Sequence, residues 1–307
     1  TVRIRRDWSI LVQSGVATNG QGHFTAFAQI AAQTFAVPPE RVEVCMNDSA
    51  LPAFSVGTFG SRVTQVAGSA VLLAAEAARE KALQVAAQML EVEPSDMTLE
   101  QGKVVVRGVH TRGVALGELA RLVEEQPTLI ERDEPNPVNG AAIEGLAAWR
   151  DFAPSGATFS SGAHLAVVEV DRETGAVQIL SYIAVDDCGC VLNDYLAEAQ
   201  MHGSLAQGIG QALYEQVVYG EDGQLLTGSL LDYALPLARQ LPVFVTAFVE
   251  TPSPTNPLGA KGIGEAGCLG APAAVVNAVL DALAPLGIRH IDMPLTPEKV
   301  WSLLQSS

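Results

Sequence analysis

Apolar alternation and apolar helical spacing take turns along this chain, so it can close a core only by layering sheet against helix. The strongest alternation is a hairpin. His164–Val170 and Ala176–Val185 are apolar at every second position, and Asp171-Arg172-Glu173-Thr174-Gly175 turns between them. The strongest helical spacing is His23–Phe35, with Phe24, Phe27, Ile30 and Ala31 on one face and Val37-Pro38-Pro39 as the breaker. Val2–Val12 reads as one strand and Arg41–Met46 as another, with loops at Ser14–Gly22 and Asn47–Gly60. A long helix is predicted from about Val66 to Leu90, with Leu72, Ala75, Leu83 and Ala86 inward. Thr98–Val106 predicts a hairpin turning at Gln101-Gly102, and Leu116–Val123 a short helix.

Farther on, Leu196–Tyr214 has helical spacing, Gln216–Tyr219 and Leu225–Thr227 read as a pair, and Val243–Val249 as a strand. Thr251–Gly270 reads as a proline- and glycine-rich loop, followed by a helix Ala271–Ala284 with Pro272 in its first turn. Thr296 caps a last helix, Lys299–Gln305, with Pro297 at its first position. The fold class is therefore mixed α/β (α+β). Two α/β subdomains are expected, at 1–125 and 163–307, joined by an extended connector at 126–162 that carries Pro127, Pro135, Pro137 and Pro154.

Apolar residues make up 48% of the 307 and charged residues 17%, which marks a globular chain. The net charge of −16 argues against nucleic acid or an anionic membrane as partner, because both demand a basic surface. The longest mainly apolar runs, Ala70–Ala75 and Ala271–Leu280, fall short of a membrane span, and none is expected. The chain opens with Thr1 and no export leader, as a processed or dissected polypeptide would. Of Cys45, Cys188, Cys190 and Cys268, only Cys188-Gly189-Cys190 is closely spaced, and that spacing suits neither zinc nor an iron–sulfur cluster. Ordinary thiols in the reducing cytoplasm are expected.

Three glycine-rich loops carry the chemistry. Asn19-Gly20-Gln21-Gly22-His23 stands between a strand and a helix, where glycines turn backbone N–H groups toward an anion; a plain tight turn accounts for the same pattern. Gly57-Thr58-Phe59-Gly60-Ser61-Arg62, with Thr64 and Gln65, suits phosphate or ribose, or a helix cap from Ser61 or Thr64. Lys261-Gly262-Ile263-Gly264-Glu265-Ala266-Gly267 contains a dinucleotide-type GxGxxG spacing. Pro252, Pro254 and Pro257 separate it from the preceding strand, no second strand ending in an acid follows, and a carboxylate inside the loop would repel a pyrophosphate. Glu265 is better placed as a base, or as a helix-capping carboxylate.

Four stretches in order, Gly20–Gln29, Gly57–Arg62, Glu198–Gln211 and Thr251–Gly267, resemble the molybdopterin-binding subunit of the xanthine dehydrogenase/aldehyde oxidase/carbon monoxide dehydrogenase family of molybdenum hydroxylases. The resemblance implies a molybdenum-cofactor-binding domain. Within it, Gln21-Gly22, flanked by Gly20 and His23, reaches the molybdenum end of the pyranopterin. Thr58, Gly60, Ser61, Arg62 and Gln65, with Asn193, Gln200 and Gln207, line the pterin and its nucleotide tail. Lys261, Gly262 and Gly264 shape the loop in which Glu265 is the base for hydroxylation of an electron-poor carbon, in an aldehyde or N-heterocycle, with water as oxygen source. The metal is held by the pterin dithiolene rather than by side chains. The cofactor is expected in its cytosine dinucleotide form.

Asp194 stands where the family often has proline, and Cys190 at a variable position. The family's full subunit is more than twice as long, and its N-terminal half, with a further cofactor loop, has no counterpart here. The resemblance thus points to a split subunit, such as the medium subunit of nicotinate dehydrogenase, or to a fragment. Its partners would be the N-terminal-half molybdopterin subunit, a [2Fe–2S] subunit and an FAD subunit. Two other readings stand beside it: a non-catalytic subunit that completes the cofactor cleft, and a nicotinamide (NAD) dehydrogenase.

Overall fold

The run Val2–Val12 folds as two strands rather than one. In the computed structural model, β1 (Val2–Ile4) and β2 (Ile10–Gln13) pair antiparallel, Val2 opposite Val12. Between them Asp7 Oδ1 accepts from the Ser9 N–H at 3.0 Å and the Ser9 hydroxyl at 2.6 Å, and Trp8 takes φ 60°. An acidic side chain closing its own turn outweighs strand propensity here. Residues 1–49, 55–138 and 140–306 are described, so part of the expected loop Asn47–Gly60 lies outside them.

The chain divides into two units, Thr1–Ala157 with Ser253–Ala260, and Thr158–Pro252 with Lys261–Ser307. The first unit is built on β2, α1 (His23–Phe35) and β3 (Val42–Cys45), with β2 and β3 parallel. Parallel neighbours require a crossover, and α1 supplies it. It has the predicted limits, because Ala36 at φ 50° and the following Pro38-Pro39 cannot continue it. Phe27, Ile30, Ala31 and Phe35 are buried. A π-helical turn, Thr64–Gly68, leads into α2 (Ser69–Leu90), which buries Ala75, Leu83 and Ala86 and leaves Leu72 half-buried. Gly68 lets α2 approach α1: a Cβ there would meet Leu258 Cδ1 at 3.0 Å and Ile30 Cδ1 at 3.3 Å. That contact also shows why Ser253–Ala260, expected with the second subdomain, belongs to the first unit.

Strands β4 (Met97–Glu100), β5 (Lys103–Val106) and β6 (Val109–Ala115) form an antiparallel meander whose first turn is the predicted Gln101-Gly102. Helix α3 (Leu116–Glu125) follows. The connector is tied down through most of its length: β7 (Ala147–Ala148) pairs with β1, and buried Lys81 of α2 binds Asp133 Oδ1 at 2.8 Å and the Ala147 carbonyl at 3.0 Å.

In the second unit β8 (Ser161–Val170) and β9 (Val177–Asp187) form the predicted hairpin, and β10 (Phe244–Val249) adds parallel to β9 through the crossover helix α4 (Asp194–Leu213). The expected pairing of Gln216–Tyr219 with Leu225–Thr227 contracts to a single bridge, Tyr219 to Leu225. Helix α5 spans Ala266–Leu283, five residues earlier than predicted, so Pro272 lies inside it rather than in its first turn. Tertiary packing overrides proline here, at the loss of one backbone hydrogen bond. The segment Ala266–Leu286, with mean hydropathy 1.6, is long and apolar enough to cross a membrane by length and composition, which the shorter predicted helix was not. In this unit one face of it joins the core, Ala271, Val275, Val279 and Leu283 packing with Tyr182, Met201, Leu205 and Ile209, while 22% of the apolar segment is buried. Helix α6 (Pro297–Gln305) starts as expected, the Thr296 hydroxyl oxygen accepting from the Lys299 N–H at 3.4 Å.

Candidate functional site

Among the described residues each unit has a β–α–β crossover, and Gly20–His23 in the first and Asn193 in the second fall where the first strand hands over to the crossover helix. That is where an open α/β layer presents helix N–H groups to a ligand. In the first unit, Gly20 has φ 103° and Gly22, at the N-cap of α1, φ 83°. No side chain caps this helix. Gln21 turns its side-chain oxygen back to the Asn19 N–H and the Thr18 hydroxyl, the latter at 3.1 Å. His23 is 6% exposed, its ring stacked on Phe27 at 5.5 Å between centroids, and its Nδ1 has no hydrogen-bond partner. Burial lowers its pKa, so the imidazole is neutral at pH 7.

The second loop lies against the first, Thr58 Oγ1 donating to the Ala17 carbonyl at 3.4 Å. Gly57, Gly60 and Ser61 have positive φ, at 92°, 58° and 50°, and the Arg62 guanidinium stacks 4.5 Å above the Phe59 ring. The helix that follows begins as the π turn, with Gln65 buried in it. A Cβ added at Gly20, Gly57 or Gly60 would project into open space.

In the second unit Asn193 is the N-cap of α4, its Oδ1 accepting from the Leu196 N–H at 2.9 Å. Gln200, Gly203 and Gln207 follow at helical spacing on one face, Gln200 half-buried and Gln207 exposed. The adjoining face, Ala197, Met201, Ser204, Leu205 and Gly208, is buried.

The loop before α5 is sewn to the end of β9. The Lys261 N–H donates to the Cys188 carbonyl at 2.7 Å, and its ammonium lies 2.9 Å from Asp187 Oδ2. Burial alone would raise the Asp187 carboxyl. The Gly189 N–H, Lys261 and the Thr251 groups outweigh it and hold the acid well below the usual carboxylate range. Glu265 stands at the N-cap of α5, exposed, and its side chain makes no capping bond to that helix. Burial, and then the charge of Glu265, raise the Cys268 thiol.

Behind α5, sequence reasoning missed a buried relay. His164 Nε2 is 3.0 Å from Asp186 Oδ2, and Nδ1 is 3.0 Å from the Tyr182 hydroxyl. The ring fills the place of a Cβ on Gly270, whose nearest contact would be 2.4 Å, and borders a cavity of about 400 Å³ with Ser161, Ala273 and Asn277. The signal was present in the alternation: His164, Tyr182 and Asp186 share the strand face that carries Ala166 and Ala184. The Ser204 hydroxyl, on the other side of α5, left no such trace. All four cysteines are free thiols, and burial pushes Cys188 up to about 11. Among the described residues, no cluster of three His, Cys, Asp or Glu could hold a metal ion.

The structure thus brings the Gln21 and Thr58 loops together in the first unit, and sets Lys261 beside the β9 terminus in the second. Among the described residues the Gly262–Gly267 loop opens a helix that no parallel strand follows, so it forms no dinucleotide-type crossover there.

A family model described as a molybdopterin cofactor-binding domain matches residues 1–242. The chain is 36% identical over 305 residues to the carbon monoxide dehydrogenase large chain of Hydrogenophaga pseudoflava, covering 99% of this chain and 36% of that one. It is 39% identical over 304 residues to the nicotine 6-hydroxylase large subunit of Paenarthrobacter nicotinovorans, covering 98% and 36%. Among solved structures, quinoline 2-oxidoreductase from Pseudomonas putida 86 superposes with a TM-score of 0.88 at 35% identity, covering 99% of this chain and 38% of that one. The chain therefore spans little more than a third of the length of these relatives.

Proposed function

The chain belongs to the molybdopterin cofactor-binding domain family of xanthine oxidase-type molybdenum hydroxylases, and we propose that it is the C-terminal part of the cofactor-binding subunit of a molybdenum-dependent oxidoreductase, with Glu265 as its general base. The observation that carries the reading is Glu265 itself: an exposed carboxylate at a helix N-terminus, not engaged in capping that helix, in a loop anchored by Lys261.

The first unit fits such a cofactor on two observations. His23 offers a buried, neutral imidazole nitrogen with no protein partner, and a buried polar atom of that kind calls for a ligand or water. Gly20, Gly57 and Gly60 line open space with no Cβ to fill it, so their backbone can approach a bulky group closely. Within this unit Gln21, Gly22, Thr58, Ser61, Arg62 and Gln65 would hold the cofactor; in the second unit, taken by itself, the resemblance gives Asn193, Gln200, Gln207, Gly262 and Gly264 a cofactor-binding role.

When bound, the cofactor supplies a metal that activates a water-derived oxygen and takes up electrons from the substrate. Glu265 accepts the proton at a carboxylate oxygen, Lys261 fixes the loop through Asp187, and the glycines keep side-chain bulk out of the cleft. The relatives named nicotine 6-hydroxylase and quinoline 2-oxidoreductase support an N-heterocycle as the substrate, and an aldehyde belongs to the same reading.

The cytosine dinucleotide form of the cofactor, a cytoplasmic setting, and [2Fe–2S] and FAD subunits as electron acceptors belong to the same reading. So does an N-terminal part of the cofactor-binding subunit. The outer face of the β8–β9–β10 sheet, with Leu165, Val167, Ile183, Val245 and Val249 exposed, supports a covering partner of that kind. Glu265→Gln in the assembled enzyme should lower turnover by about two orders of magnitude while molybdenum stays bound. Near-normal turnover in a metal-loaded preparation would overturn the assignment and leave the chain as a structural wall of the cleft.

A further inference from the structure

The first N–H groups of a helix need acceptors, and the usual one is the side chain of the N-cap residue, which takes the N–H two or three positions on. In α5 the N-cap residue is Glu265, with backbone φ −114° and ψ −2° rather than the extended conformation common at caps, and it makes no such bond. The N–H of Gly267, two positions on, donates instead to Ser204 Oγ at 3.1 Å, from the neighbouring helix α4. Ser204 is 5% exposed and its hydroxyl donates to the Met201 carbonyl at 3.0 Å, so the oxygen is turned toward Gly267.

The two helices are shaped around this bond. A Cβ on Gly267 would lie 2.2 Å from Ser204 Oγ, and one on Gly208 would meet Ala271 Cβ at 2.8 Å and Cys268 Cα at 3.0 Å. On the opposite side the His164 ring occupies the place of a Cβ on Gly270. The first two turns of α5 are therefore wedged between α4 and β8.

We propose that Ser204 is a positioning residue: by capping α5 from the neighbouring helix it keeps the Glu265 carboxylate from being drawn back onto the N-terminus of its own helix. A carboxylate is attracted to an uncapped helix N-terminus by the orphan N–H groups and the helix dipole together. A Glu at that point cannot both cap the helix and accept a proton from a reacting group. Ser204 removes the conflict by supplying the acceptor itself. The inference rests on Glu265 being the base.

The test is a cycle in the fully assembled enzyme: Ser204→Ala, Glu265→Gln and the double variant. The readouts are single-turnover rate, substrate KM, molybdenum content, thermal stability and amide hydrogen exchange over 264–270. Ser204→Ala should lower kcat about fivefold, the ratio one capping bond sustains, with KM and molybdenum content unchanged. Exchange over 264–270 should quicken, and the double variant should be no slower than Glu265→Gln. Ser204→Cys, which keeps the shape and a weak acceptor, should fall between wild type and Ser204→Ala. If Glu265→Gln itself turns over normally, the base assignment fails whatever Ser204 does. If Glu265→Gln is slowed by about two orders of magnitude but Ser204→Ala slows both backgrounds by the same factor, or lowers only thermal stability and metal content, Ser204 is a packing residue and the positioning role is overturned.

Discussion

Lys261→Met removes the cation of a pair whose two side chains are only 14% and 12% exposed and whose N–O distance is 2.9 Å. Breaking a buried pair by deleting one partner costs about 3–5 kcal/mol when the remaining charge is left uncompensated. Asp187 is not left so: it keeps the Gly189 N–H at 2.8 Å and the Thr251 N–H at 3.1 Å. The expected loss is therefore smaller, about 2–3 kcal/mol, since charge-assisted bonds from backbone N–H groups offset part of the penalty. In a domain of this size that lowers Tm by about 5–10 °C.

The pH dependence has a definite sign. The folded Asp187 carboxyl is depressed, so its contribution is complete above the unfolded value of about 3.9 and is lost as pH falls through the folded value. Urea unfolding of wild type and Lys261→Met should show a constant gap from about pH 8 to about pH 5, narrowing only below about pH 4. A gap below about 0.5 kcal/mol, the range of exposed ion pairs, would refute the burial argument. A gap that widens on acidification would refute the linkage.

Two further substitutions probe the first unit. Gly22→Val places a β-branched side chain at φ 83° on the α1 N-cap, so molybdenum content and activity should fall together while far-ultraviolet dichroism is kept; full metal occupancy would count against the loop assignment. Asp133→Asn strands Lys81 in the interior and should cost about 2–3 kcal/mol at pH 7 by urea unfolding. Burial raises the Asp133 carboxyl, but Lys81, the Trp149 N–H and Arg150 outweigh it and hold it low. The cost should therefore fade only as pH drops below about 4, and an equal cost at pH 3 would contradict the pairing.

The sequence by itself determined what local chemistry determines. Helix α1 ends where Val37-Pro38-Pro39 forbids it to continue, and the β4–β5 turn falls at Gln101-Gly102, where the backbone goes left-handed. The β8–β9 hairpin follows from period-two alternation, and α6 starts at a threonine cap. The glycine-rich loops were legible as left-handed turns because glycine, without a Cβ, accepts positive φ at little cost. The mixed α/β class followed from the same patterns.

Only the tertiary structure decided features that depend on neighbours distant in sequence. Helix α5 begins at Ala266 despite Pro272, because Ser204 and Gly208 of α4, some sixty residues earlier, cap and pack its first turns. Lys261 is bound to an acid 74 residues away, and the proline-rich connector is pinned by Lys81 through Asp133, 52 residues on. Val2–Val12 splits because Asp7 closes a turn that strand propensity alone does not reveal. A hydrogen bond across helices or a charge pair across a sheet depends on positions in space, and one-dimensional periodicity holds no record of which buried serine will face which orphan N–H.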